Sequence, residues 1–257
     1  MTAVDPSAEP AGAPPFELTP LHVLVTGASR GIGRAVAVRL AHPGGVVVVN
    51  YLRNPEAAAE TARLVEARGA RALLVQGDVR SEDDLKRLGA ALDGVDVLVH
   101  NAAVGAMKPY DKMRTSHWDL TIESSLRPFW LLTKHCRMRA GGSVIGISSM
   151  GSQRYIPGYV AMGAAKGGIE ALTRQLAVEL AAQKVRVNTV CGGLVQTDTL
   201  QYLADGERML KLATELTPLG GVAAPDDIAA AVELLARPEA RWITGQILVC
   251  DGGLSLL

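Results

Sequence analysis

The chain is poor in cysteine, in aromatic residues and in any excess of one charge, and each shortage closes off a class of function. Its three cysteines, Cys136, Cys191 and Cys250, lie far apart with no CxxC pair. That spacing supports neither a disulfide framework nor a thiolate metal site; reduced, mostly buried thiols in a cytoplasmic setting are expected. None of His22, His42, His100, His117 and His135 falls in an HExxH arrangement, so no metal is expected and each reads as a surface or packing residue. Basic and acidic residues number 26 each. The balance supplies no bulk field for nucleic acid or a membrane surface, which leaves small-molecule work. The first 19 residues hold no apolar stretch long enough for a signal sequence or a membrane span. Residues 1–19, alanine-rich and carrying Pro6, Pro10, Pro14 and Pro15, read as a disordered leader.

What the chain has is 48% hydrophobic residues over 257 positions, enough for one large core in a single domain over 20–257. Short apolar runs recur at Leu21 to Val25, Gly45 to Val49, Ala72 to Val75, Val95 to Val99, Ser143 to Ile147, Val185 to Val190 and Gln246 to Val249. Between them, Pro55 to Arg68, Glu82 to Leu92, Trp118 to Arg137, Ile169 to Ala182 and Asp226 to Ala236 have helical composition, and Ser81-x-x-Asp84 fits a capping box. Strand alternating with helix predicts a single Rossmann-like, doubly wound α/β domain with a seven-stranded parallel sheet. A ligand crevice should open at the carboxyl ends of its strands.

At the first strand, Leu21-His-Val-Leu-Val-Thr-Gly-Ala-Ser-Arg-Gly-Ile-Gly-Arg34 turns from apolar strand into helix through Gly27, Gly31 and Gly33. Glycines there let the backbone approach a pyrophosphate and offer helix N-terminal N–H groups to it. About 20 residues on, an NAD site places a carboxylate against the ribose; this chain has Asn50-Tyr-Leu-Arg-Asn54 instead. Arg53, with Arg30 in the glycine loop, suits a 2′-phosphate, which favours NADPH over NADH; the alternative is that both arginines are only solvated.

Far downstream, Tyr159 precedes Lys166 by seven residues in Gly158-Tyr-Val-Ala-Met-Gly-Ala-Ala-Lys-Gly-Gly168. On a helix that separation returns to nearly the same face about 10 Å along the axis. A lysine side chain leaning toward the helix start covers part of the gap. Its charge is expected to favour ionisation of the phenol. Tyr155 projects on the same face and is the second choice.

In this order, Thr26-Gly-Ala-Ser-Arg-Gly-Ile-Gly33, Gly77-Asp-Val79, Asn101-Ala-Ala103, Ser148-Ser149, the Tyr159/Lys166 pair and Gln246-x-x-Val-Cys-Asp-Gly-Gly253 resemble the short-chain dehydrogenase/reductase family over residues 21–257. The resemblance implies that Asp78 and Val79 flank adenine, that Asn101, Ala102 and Ala103 line the ribose side, and that Val195 with Thr197 holds the nicotinamide carboxamide. With the loop residues, the cofactor set is Gly27, Ser29, Arg30, Gly31, Ile32, Gly33, Asn50, Arg53, Asp78, Val79, Asn101, Ala102, Ala103, Lys166, Val195 and Thr197. The catalytic set is Tyr159, Lys166 and Ser149, with Ser149 either orienting a substrate carbonyl or capping its strand. Three positions depart from the family pattern: Met162 stands where its tyrosine usually lies, Ser125 where an asparagine is usual, and Gly192 where a proline is usual.

The longer tyrosine-to-lysine spacing, and the stretches Gly151-Ser-Gln-Arg-Tyr-Ile-Pro-Gly-Tyr159 and Ala171-Leu-Thr-Arg-Gln-Leu-Ala-Val-Glu179, resemble the enoyl-acyl-carrier-protein reductases, third bacterial type. The implied reaction is NADPH-dependent reduction of the double bond of an acyl thioester, carrier-bound in fatty acid or polyketide biosynthesis. Ketoreduction of a β-ketoacyl or polyketide-like carbonyl, or a catalytically silent NADPH sensor, are the alternatives. Residues near 198–219 read either as a mobile lid over an apolar acyl group or as a static helix pair. The apolar C-terminus suggests a subunit contact in a homotetramer, and an acyl carrier protein is a possible partner.

Overall fold

The computed structural model describes residues 20–197 and 206–257; the leader at 1–19 and the first part of the expected lid, 198–205, lie outside the described residues. Fifteen regular elements follow one another: β1 (His22–Val25), α1 (Gly31–Arg39), β2 (Val46–Tyr51), α2 (Pro55–Glu66), β3 (Arg71–Gln76), α3 (Glu82–Gly89), β4 (Val95–His100), α4 (Thr115–Thr121), α5 (Arg127–His135), β5 (Met138–Ser149), α6 (Val160–Glu179), β6 (Arg186–Gly192), α7 (Gly206–Leu216), α8 (Pro225–Ala236) and β7 (Ile247–Cys250). The seven strands form one sheet in the order β3-β2-β1-β4-β5-β6-β7, and all pairs are parallel. The chain steps outward from β1 to β3 and then returns to the other side of β1 with β4. That reversal opens the crevice between the β1 and β4 ends.

Both sheet faces are covered, so the strands are apolar without a polar side. Side chains alternate across the sheet: Val23 and Val25 join Val36, Val47, Val97, Ile145, Ile228 and Val232 on one face. Leu24 joins Leu85, Leu98, Phe129, Val144, Ile169 and Leu176 on the other. Each fully buried aliphatic side chain of this kind contributes about 1.5–3 kcal/mol. Arg39 ties α1 to α8 through Asp226 at 2.8 Å and Glu233 at 2.7 Å.

Two local expectations change. The single helix read over Trp118 to Arg137 is three pieces, α4, a π-turn at Ile122–Leu126 and α5. Helical composition does not reveal where one extra residue is squeezed into a turn. At α3, Ser81 caps as expected by accepting from the Asp84 N–H at 3.3 Å, but the Asp84 carboxylate accepts from the Asp78 N–H at 2.8 Å, so only half of the capping box forms.

Candidate active site

The glycine loop is held from behind. Gly27 and Gly31 have φ of 61° and 55°, a region that side chains with a Cβ rarely enter. A Cβ on Gly33 would overlap the Gly27 carbonyl and come within 2.6 Å of Asn101 Nδ2. Asn101 donates its amide to the Thr26 and Gly27 carbonyls at 3.1 and 3.2 Å. Asn50 is buried at the end of β2; its amide donates to the Val75 and Gly77 carbonyls, and its oxygen accepts from the Gly27 N–H at 3.2 Å. Its polar atoms therefore hold the loop. Ser29 gives its carbonyl to Arg34 at 2.7 Å, and Ile32 packs into the core beneath. These bonds leave the N–H groups at the start of α1 open toward the crevice, where an anion is favoured.

Beside the loop lies a cavity of about 670 Å³ bounded by Arg30, Gly31, Arg34, Asn54, Thr197 and Asp226. The Thr197 methyl would sit 3.7 Å from a Cβ at Gly31, so residues 195–197 close the crevice opposite the loop. Val195 is pinned there by its bridge to Ala223. Arg30 and Arg53 are both exposed at this end. Asp78 ion-pairs with Arg80 at 2.5 Å, and Arg80, with Arg53 adding to it, holds that carboxyl below the usual range. Val79 packs inward, and Ala102 N–H donates to the Thr26 hydroxyl at 3.0 Å, leaving Ala103 exposed at the crevice. A glycine cradle that a Cβ would fill, free helix N–H groups and flanking arginines fit a phosphorylated dinucleotide.

Lys166 and Tyr159 lie at and near the start of α6. Tyr159 is the residue just before α6, and Lys166 lies two turns into that helix. The Lys166 ammonium is 6% exposed and donates to the Ile147 carbonyl at 2.8 Å, one of its three possible bonds. Burial lowers its pKa to about 8. Burial raises the pKa of the Tyr159 phenol, with the nearby Ser149 hydroxyl acting in the lowering direction; Ser149 Oγ itself accepts from the Gly151 N–H at 3.4 Å. The expected downward pull of Lys166 is not what dominates, because the ammonium is turned to the β5 carbonyl. Tyr155 is 89% exposed and stands outside the site. Met162 lies one turn into α6, its sulfur filling the space beside Gly105.

His100 carries more structure than its reading as a surface or packing residue implied. It is buried, stacks on Phe129 with ring centroids 5.9 Å apart, and faces Thr26 Oγ1 at 3.2 Å and the Ser125 carbonyl at 2.8 Å. A carbonyl only accepts, so Nε2 carries the proton and Nδ1 accepts from Thr26. Thr26, at the start of the glycine motif, also accepts the Asn101 and Ala102 N–H groups at 3.1 and 3.0 Å. No spacing rule flags such a bond between two strand ends.

The family described as Enoyl-(acyl carrier protein) reductase matches residues 27–255. The chain belongs to the short-chain dehydrogenase/reductase family. It is similar to the 1-cyclohexenylcarbonyl-CoA reductase of Streptomyces collinus, 37% identical over 91% of this chain and 86% of that protein. Among solved structures it resembles the promiscuous reductase LugOII, which catalyses keto-reduction at C1 during lugdunomycin biosynthesis (TM-score 0.85, 32% identity, 93% of this chain and 99% of that one). It also resembles the angucycline C-6 ketoreductase LanV with bound NADP (TM-score 0.85, 31% identity, 92% and 96%). Members of this family are oxidoreductases that use a nicotinamide dinucleotide, and the crevice described above is built for one. Among the described residues no helix is long and apolar enough to cross a membrane.

Proposed function

We propose that the protein is an NADPH-dependent reductase of the carbon–carbon double bond of an enoyl thioester. The observation that carries this reading is the placement of the phenol: Tyr159 stands just before α6, against Ser149, while Met162 occupies the position four residues before Lys166. A thioether exchanges no proton, so the acid at this site is displaced toward the helix start. The similarity to a reductase of 1-cyclohexenylcarbonyl-CoA, an unsaturated thioester, supports the same reading.

NADPH, when bound, supplies hydride. The chain's residues do the rest. The two free N–H bonds of Lys166 suit ribose hydroxyls, and the helix N-terminus at Gly31 suits the pyrophosphate. As the β-carbon is reduced, negative charge would gather on the thioester oxygen, and the Tyr159 hydroxyl would donate to it. One such donor contributes roughly 3–4 kcal/mol at the transition state. Ser149, near the phenol, would help orient it.

Ketoreduction is the second reading, favoured by the Ser149 hydroxyl near the Tyr159 phenol, a pair that suits a carbonyl oxygen equally, and by the similarity to LugOII and LanV. NADPH oxidation with crotonyl-CoA and acetoacetyl-CoA in parallel, with product identification, separates the two. Saturated butyryl-CoA from crotonyl-CoA is the expected product; turnover of acetoacetyl-CoA alone would replace the reading with its rival, and turnover of neither across a thioester panel would favour an NADPH sensor. The wider expectations belong to the same proposal: a cytoplasmic homotetramer, with substrate presented on coenzyme A or an acyl carrier protein. α7, carrying exposed Leu212 and Leu216, would form one side of the acyl channel.

A further inference from the structure

Because Tyr159 precedes α6 instead of lying within it, the helix alone does not fix the angle of its ring. Three observations show what does. The ring lies over Gly151 in the short turn Met150–Ser152, where a Cβ would overlap two ring carbons. A Cβ on Gly163 would approach the Gly151 carbonyl to 2.8 Å, so α6 and this turn run in close backbone contact. The turn is then fastened to α6 one helical turn beyond Lys166: Glu170, 6% exposed, accepts from Ser148 Oγ at 2.7 Å and Ser152 Oγ at 2.5 Å through one oxygen, and from the Gln153 amide at 3.3 Å through the other. No ion pair to Glu170 is formed among the described residues. A buried carboxylate costs free energy unless its lone pairs are filled, and three neutral donors converge to fill these.

We infer that Glu170 is a positioning residue for the reaction: its carboxylate clamps the Met150–Ser152 turn onto α6, and the turn fixes the ring of Tyr159 against Ser149. The inference rests on Tyr159 being the reactive phenol. Glu170 touches neither substrate nor cofactor and acts only through that side chain. Its removal should lower kcat while leaving NADPH binding intact, and should have no effect once the phenol is gone.

The test is a double-mutant cycle with Glu170→Ala and Tyr159→Phe in the full-length protein, assayed with NADPH and whichever of crotonyl-CoA and acetoacetyl-CoA the wild type reduces. Glu170→Ala is expected to lower kcat 10- to 100-fold with the NADPH Kd changed less than about twofold, Glu170→Gln to recover most of it, and Glu170→Ala to add nothing in the Tyr159→Phe background. Ser152→Ala, a milder cut of the same clamp, should lower kcat severalfold and serves if Glu170→Ala does not fold. Wild-type kcat in either variant, an equal loss in NADPH affinity, or additive effects in the cycle would overturn the clamp. Wild-type turnover by Tyr159→Phe alone would instead overturn the assignment of the phenol. Independently of turnover, ultraviolet titration of tyrosinate, taken as wild type minus Tyr159→Phe, should show the Tyr159 ionisation moving toward that of a free phenol when Glu170 is lost. An unmoved ionisation contradicts the clamp.

Discussion

The glycine loop and the start of α6 face the same crevice, yet they are held in different ways. Behind the loop, Asn50, Asn101, Thr26, Arg34 and His100 use their polar atoms on backbone groups and on one another, so the cradle is fixed by hydrogen bonds that a cofactor does not have to make. At α6, the phenol ring is held by close packing on Gly151, and Lys166 keeps donors in reserve. A rigid half receives the invariant part of the ligand pair, and an adjustable half receives the part that reacts.

The sharpest way to break the rigid half is Gly33→Ala. A Cβ there meets backbone at Gly27, which has no room to retreat, so a loss of about 3 kcal/mol, roughly hundredfold in NADPH affinity, is expected in a fluorescence titration. The His100 network predicts the next effect. Its imidazole is held neutral, with a pKa lowered from 6.5 to about 4 by burial. Between those values the unfolded chain binds a proton that the folded one does not, so stability rises with pH across that window and falls on acidification, by on the order of 3 kcal/mol in full. Chemical denaturation between pH 4 and 7 should show the slope for the wild type and a flatter one for His100→Asn.

The arginines sharpen the comparison at the rim, where the cradle meets solvent. Replacing Arg30 and Arg53 by alanine should raise the NADPH KM roughly tenfold and leave NADH unchanged, since only a 2′-phosphate uses them. An equal change for both cofactors would mean the arginines are only solvated. The smallest effect belongs to Lys166. Its charge is lost as pH rises through about 8, so NADPH affinity should weaken above that point, by at most roughly tenfold per pH unit, and Lys166→Arg should hold its affinity to higher pH.

How much of this was legible in the sequence follows the same division. The loop announces itself because its constraints are local: a strand, a tight turn and a helix start need glycine at fixed spacing, and all seven strands appear as apolar runs for a similar reason. The spacing of Tyr159 and Lys166 is visible for the same local reason, although Tyr159 stands just before α6 and only Lys166 lies within it. What spacing did not reveal was the local π-turn at Ile122–Leu126 and a set of tertiary contacts: the bond from His100 to Ser125, the inward turn of Asn50, and the serines that meet Glu170 from β5 and the turn beyond it. Such contacts join positions 18 to 25 residues apart or more, where no periodicity reaches.

The proposed reaction turns on the phenol before α6. Turnover of crotonyl-CoA by Tyr159→Phe, measured beside an unchanged NADPH Kd and thermal midpoint, should fall by roughly 100- to 1,000-fold in kcat. A variant that binds NADPH normally and reduces the double bond at the wild-type rate would contradict it.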